Sequence, residues 1–219
     1  DIYENWTDVP GVLTADPRIV PEAEPIPSLS FEELGQLSGV GTQVLHESAV
    51  EPVREQHIPL QIRSTFRPEL PGTLIRTRHD GAVGVAGFAG RRRVAMLRVH
   101  GSAAGAAAEA LRGMGAEPFC LSETLGQTTA LLDMGAGAGT ATLAARLRAQ
   151  LPGAEVTLRE NLAVLAAICR TSDAIPPVLQ AVEPAGVPVH HLLRCAPGLL
   201  MIVNDSQYET ALRAVAGTK

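Results

Sequence analysis

Apolar positions along this chain follow two different regimes, and the change falls between residues 75 and 83. In the first regime, prolines and turn-forming residues interrupt short patterned stretches. Ser30 followed by Glu33 is a capping-box pair, and Phe31, Leu34 and Leu37 then recur at helical spacing, which predicts a helix beginning at Ser30. A second helical pattern covers 43–56. Residues 58–63 alternate as a half-buried strand does, and 68–72 close the region with turn chemistry.

In the second regime the pattern repeats itself. Residues 94–99 predict a strand, 103–112 an Ala-rich helix, 118–122 and 127–133 two strands, 141–150 a helix and 155–159 a last strand. The order restarts with a strand over 162–169, a helix over 174–183, strands over 189–195 and 199–203, and a helix over 207–215. Two βαββαβ-type units of about 60–75 residues fit ferredoxin-like layers, each an antiparallel sheet backed by two helices. With helices on one face only, the other face or an edge wants a partner, so pairing of the modules is expected within or between chains. The boundaries that follow are 1–78, 79–160 and 161–219.

Composition narrows the function classes. The apolar share of 46% builds real cores, and 3% aromatic content makes them aliphatic. Net charge is -5, with both signs mixed along the chain, which argues against a nucleic-acid partner. Arg91, Arg92 and Arg93 form the one basic cluster and read as a solvated turn before a strand. Cys120, Cys169 and Cys195 are far apart with no CxxC spacing, so neither a disulfide framework nor a zinc site is expected. Thiols in apolar runs suit a reducing cytoplasm. No stretch is long enough for a membrane span and no signal peptide is visible. The first residue is Asp, which leads us to expect a truncation, a cleavage product or a boundary there. His190 and His191 are adjacent in a predicted strand and would face opposite sides, so they cannot share a metal. The glycines at 135, 137 and 139 lack the spacing of a phosphate loop.

The chemistry concentrates in residues 6–18, WTDVPGVLTADPR. Thr7 and Asp8 end a strand and offer a hydroxyl and a carboxylate at a loop. Gly11 permits a tight turn. Asp16 and Pro17 begin another turn, and Arg18 presents a guanidinium able to meet a phosphate bidentately.

This segment is very similar to the WTDVDGVYTADPR segment of aspartate kinases, members of the amino-acid kinase fold. The similarity continues in order. Ser28-Leu-Ser-Phe-Glu-Glu-Leu resembles the helix that follows in that family, Gly41-Thr-Gln-Val-Leu-His resembles its GAKVLHP, Ile58-Pro-Leu-Gln-Ile-Arg-Ser-Thr-Phe its IPVRVRNTF-like strand, and Pro71-Gly-Thr-Leu-Ile its PGTLI. The repeated modules fall where the family places its ACT regulatory domains. The resemblance implies an α/β portion of the three-layer αβα kinase fold, followed by α+β ferredoxin-like ACT modules. It also implies ATP- and Mg²⁺-dependent phosphorylation of the side-chain carboxylate of L-aspartate, at the entry to lysine, threonine and methionine synthesis. Carried over by position, Thr7, Asp8, Leu13, Asp16, Arg18 and Gln43 are the nucleotide-binding residues, with Asp8 near adenine and ribose and Arg18 toward the phosphates.

The sequence also departs from the family. Gln43 stands where the family has a phosphate-side lysine, and Leu13 where it has a tyrosine; Lys219 is the sole lysine of the chain. The family's N-terminal KFGGTS loop has no counterpart in these residues. The catalytic residues are therefore expected in an N-terminal lobe, in the same chain or a separate one, and this chain alone is expected to be inactive. An amino-acid effector would lie in the first module near Ser102, Phe119, Ser122 and Thr124. Phe119 stands where lysine-sensing relatives place an aspartate. A homodimer or larger assembly through the ACT modules is expected. The alternative reading is a catalytically silent regulatory or assembly subunit.

Overall fold

The computed structural model describes residues 2–41, 47–78, 83–134, 139–195 and 198–218, which divide into two compact units. One comprises residues 1–90, 164–203 and 207–219; the other comprises 91–163 and 204–206.

The first unit opens with a four-stranded sheet. β1 (Tyr3–Thr7), β2 (Ser28–Ser30), β3 (Leu60–Ser64) and β4 (Thr73–Arg76) lie in the order β1-β3-β4-β2. β1 runs parallel to β3, with Tyr3 opposite Leu60 and Thr7 opposite Ser64, while β4 is antiparallel to β3. Helix α1 (Phe31–Val40) starts where the capping box predicts. Glu33 N–H donates to Ser30 Oγ at 3.1 Å, and Ser30 N–H donates to Glu33 Oε2 at 2.7 Å. Its apolar face, with Leu37 wholly buried, packs against Leu29, Leu60, Ile62 and Ile75 from the sheet. Helix α2 (Glu47–Glu55) lies within the second predicted helix, whose first residues fall outside the described ones. Gly72 explains its motif: at φ 71°, a Cβ there would sit 1.9 Å from the Ile62 carbonyl oxygen, so no side chain fits.

Two long strands, β5 (Val85–His100) and β8 (Glu155–Cys169), contribute to both units. In the second unit they join α3 (Ala107–Gly113), β6 (Cys120–Thr124), β7 (Gln127–Asp133) and α4 (Thr140–Gln150), in strand order β6-β7-β5-β8. Leu97 and Val99 of β5, Leu132 of β7, Leu111 of α3 and Leu143 and Leu147 of α4 form one aliphatic core. This is the predicted βαββαβ module.

In the first unit, β8 continues into α5 (Ile175–Val182), β9 (His191–Cys195), β10 (Gly198–Asn204) and α6 (Tyr208–Ala216). Strand order there is β5-β8-β10-β9. The elements predicted over 162–215 run βαββα, one strand short of the expected βαββαβ-type unit, and residues 85–90 of β5, beside β8, supply that strand from the opposite end of the second regime. The two strands predicted at 155–159 and 162–169 are likewise one strand, bent at Asn161, whose φ is 56°. Its counterpart on β5 is Arg93 at φ 57°. Single left-handed residues of this kind bend a strand without ending it.

The arginine run is part of β5 rather than a turn before it. The Arg91 guanidinium meets Asp133 at 2.9 Å and stacks 4.4 Å from the centroid of the Phe119 ring. Arg92 pairs with Asp205 at 2.8 Å, and Asp205 also accepts the Arg93 N–H at 2.8 Å. Cys169 is a buried thiol and Cys120 a half-buried one. Among the described residues, no helix is long and apolar enough to cross a membrane.

Candidate functional site

Thr7 and Asp8 stand at the carboxyl end of β1, beside the carboxyl end of the parallel strand β3. Crevices outside such strand ends are where open α/β sheets bind ligands. The Thr7 carbonyl accepts both the N–H of Thr65 at 2.8 Å and its hydroxyl at 3.0 Å, which locks the two strand ends together. The Thr7 hydroxyl donates to Asp8 Oδ1 at 3.1 Å, and the Asp8 carboxylate is exposed.

The chain then forms a long loop that returns to β2. Gly11 makes the first turn at φ 142°, where a Cβ would meet the buried Thr73 hydroxyl at 2.6 Å; that hydroxyl accepts the Val12 N–H at 2.9 Å. Beyond it the loop pairs with itself. Thr14 N–H donates to the Glu24 carbonyl at 2.9 Å, Ile26 N–H to the Val12 carbonyl at 2.8 Å, and half-buried Leu13 bridges to Pro25.

At the outer end Asp16 organises the turn. Its Oδ1 accepts the Arg18 backbone N–H at 2.9 Å and Nε at 3.0 Å, while Oδ2 takes Nη2 at 2.7 Å. The backbone carbonyl of Asp16 accepts the N–H groups of Ile19 and Val20. The Arg18 hydrogen bonds hold the Asp16 carboxyl below its usual range, against a smaller upward push from burial. The same contact keeps the Arg18 guanidinium above its own usual range, and the Arg18 side chain is 86% exposed. The structure therefore brings Leu13, Asp16 and Arg18 onto one braced loop, with Thr7 and Asp8 at its root. Arg18 is held by an internal carboxylate, a pairing that the sequence pattern does not announce. Gln43 lies outside the described residues.

The residues expected at an effector site divide differently. Ser122 and Thr124 share one face of β6, and cross-strand pairing sets Ser122 in a row with Thr129 and Arg98, and Thr124 in a row with Gln127 and His100. Phe119 lies just before β6 and is covered by Arg91. Ser102 follows Gly101, whose N–H donates to the carbonyl of Gly126 in the β6–β7 turn at 3.0 Å. Arg98 and Thr129 belong to this polar face, and Arg98 Nε is buried with no hydrogen-bond partner among the described residues. The signal available in sequence was an arginine within an otherwise aliphatic strand.

A parallel-edged α/β segment with a braced loop at its strand ends, continued by ferredoxin-like modules, defines the class. Residues 1–64 match the amino acid kinase family. Beyond that class, the chain resembles the C-terminal part of the aspartokinases. It is 44% identical over 75 residues to Aspartokinase 1, chloroplastic, of Arabidopsis thaliana, which covers 34% of this chain and 13% of that protein. Over 235 residues it is 29% identical to the Arabidopsis thaliana bifunctional aspartokinase/homoserine dehydrogenase 1, chloroplastic, covering 96% of this chain and 26% of that protein. The fold matches the crystal structure of Clostridium acetobutylicum aspartate kinase with a TM-score of 0.87 at 24% identity, over 100% of this chain and 54% of the other. E. coli aspartokinase III in complex with aspartate and ADP matches with a TM-score of 0.80 at 24% identity, over 99% of this chain and 52% of the other. The chain thus spans a small fraction of its curated relatives and about half of the solved kinases.

Proposed function

We propose that this chain is the nucleotide-binding edge and regulatory region of an aspartate kinase, which transfers the γ-phosphoryl group of ATP to the side-chain carboxylate of L-aspartate. In this reading residues 1–78 belong to the kinase domain and the ACT-type modules expected over 79–160 and 161–219 are its regulatory region. The observation that carries the reading is the braced loop of Asp16 and Arg18, colinear with the kinase motif and rooted at parallel strand ends.

Phosphoryl transfer needs positioning and charge neutralisation more than covalent chemistry. Asp16 aims the Arg18 guanidinium, and Arg18 meets phosphate oxygens where an unbraced side chain would first have to be ordered. Thr7 and Asp8 present hydroxyl and carboxylate to the ribose and base. Gln43 contributes an amide donor without charge. Among the described residues no three His, Cys, Asp or Glu side chains cluster to hold a metal. Mg²⁺, which neutralises phosphate charge when bound, would arrive on the nucleotide, as it commonly does.

The test uses the full-length parent protein in a coupled assay for ADP with L-aspartate as acceptor. Arg18→Ala is expected to lower turnover more than about a hundredfold, in line with losing one preorganised charge contact at a reacting phosphoryl group. An unmodified parent that forms no aspartate-dependent ADP would instead support the silent regulatory subunit.

A further inference from the structure

The loop that carries Asp16 and Arg18 is gripped from outside as well as by its own pairing. Phe88 of β5 donates its N–H to the Thr14 carbonyl at 2.7 Å. At neighbouring Gly87 a Cβ would stand 3.2 Å from that same carbonyl oxygen, so the strand backbone lies directly on the loop. Farther out, Arg213 of α6 donates from Nε to the carbonyl of Ile19 at 3.1 Å. Glu209, one turn earlier on α6, accepts from Nη2 of the same guanidinium at 3.4 Å.

Ile19 directly follows Arg18, and its N–H is already committed to the Asp16 carbonyl at 3.0 Å. The peptide next to the guanidinium is therefore fixed by Asp16 on one side and by α6 on the other. Behind this turn lies a cavity of about 670 Å³, lined by Thr14, Ile19, Val20, Glu24, Arg213 and Gly217 among others. Packing around the turn is open on that side, so the Arg213 hydrogen bond is a direct tether between α6 and the turn.

Helix α6 is itself firmly seated. Ala211, Leu212 and Val215 are wholly buried, and Tyr208 is 5% exposed with its ring over Gly90, where a Cβ would come within 2.3 Å. A side chain on a buried helix thus reaches the outer turn of the loop.

We propose that Arg213 is a positioning residue through which helix α6 sets the geometry of the loop around Arg18, so that displacement of α6 weakens nucleotide binding while leaving the acceptor site alone. This rests on reading the loop as the nucleotide site. It makes the last helix of the chain, nearly two hundred residues downstream in sequence, part of the control of that site.

Two measurements on the full-length protein test it. Hydrogen–deuterium exchange without any nucleotide reads the tether: in Arg213→Ala the amides within 18–22, those of Arg18, Ile19, Val20 and Glu22, are expected to exchange at least about fivefold faster, while those of α1 are unchanged. Unchanged exchange at 18–22 overturns the proposal. Steady-state kinetics read its consequence: Arg213→Ala is expected to raise the KM for ATP about fivefold, with kcat and the KM for L-aspartate each within about twofold. Arg213→Lys, which keeps one donor for the Ile19 carbonyl, is expected to restore most of that loss. An unchanged KM for ATP, or equal changes in all three parameters, overturns the positioning role. If the unmodified protein forms no ADP, the nucleotide reading fails first, and faster exchange then makes Arg213 a structural tether only, which also overturns the proposal.

Discussion

Asp205 shows how one carboxylate can secure an unfavourable backbone. Arg93 holds φ 57°, a left-handed conformation that costs a non-glycine residue of order 1–3 kcal/mol unless its surroundings enforce it. Asp205 enforces it by accepting from the Arg92 side chain and the Arg93 N–H together. The Arg92 hydrogen bond, then the Arg93 N–H, hold its carboxyl below the usual range, opposed by partial burial. A lowered folded pKa means that the contribution is complete above the unfolded value of about 3.9 and disappears as pH falls through the folded one. Asp205→Asn should therefore cost about 1–2 kcal/mol at pH 7 and progressively less below pH 4, by urea unfolding at several pH values. A cost that does not change with pH would show that geometry rather than charge holds the bend. None of this was legible in the sequence, where Asp205 is an isolated acid after a strand. The capping box at Ser30 and Glu33 was legible because both of its hydrogen bonds close within four residues.

At the scale of elements, helices α1, α3, α4, α5 and α6 lie where apolar periodicity predicts them, since each buries one stripe against a sheet. Strands were read less well. Residues 85–90 contain two alanines and two glycines and show no alternation, yet they are the opening of strand β5, for which β8 offers backbone partners. Strand β6 is an outer strand of the six-stranded sheet, and its hairpin leaves Leu121 42% exposed and Leu125 fully exposed. An outer strand with open apolar residues favours pairing with a second copy. Light scattering at tens of micromolar should report a species of at least twice 23.0 kDa, and Leu121→Lys with Leu125→Lys should shift it toward the monomer. A wild-type chain that remains at the monomer mass would rule this surface out as a self-association site.

At the scale of the whole molecule, the first unit depends on residues far apart in sequence. Arg170 follows β8 and reaches α1, where Nε donates to Glu33 Oε1 at 2.8 Å and Nη2 to the Ser28 carbonyl at 2.6 Å. Glu33 is 2% exposed and the Arg170 side chain 16%, so the pair is sheltered from solvent. Glu33 thereby serves both as N3 of the capping box and as the partner of a distant cation. Removing one member of a buried pair strands the other, so Arg170→Ala should destabilise by about 3–5 kcal/mol. The check is the midpoint of urea unfolding at unchanged m-value. A loss under about 1 kcal/mol would mean that the pair contributes little to this unit.

Taken by itself, the sequence determined the helices, the repeat, the family resemblance and the motif residues of the candidate loop, because each depends on spacing within a few turns of chain. Tertiary structure alone decided which strand completes the second repeat and that β8 continues through the expected break. It also decided that Arg170 and Arg213 reach back to the opening segment. Those outcomes depend on backbone and charged groups meeting across long loops, where local periodicity carries no information about the partner.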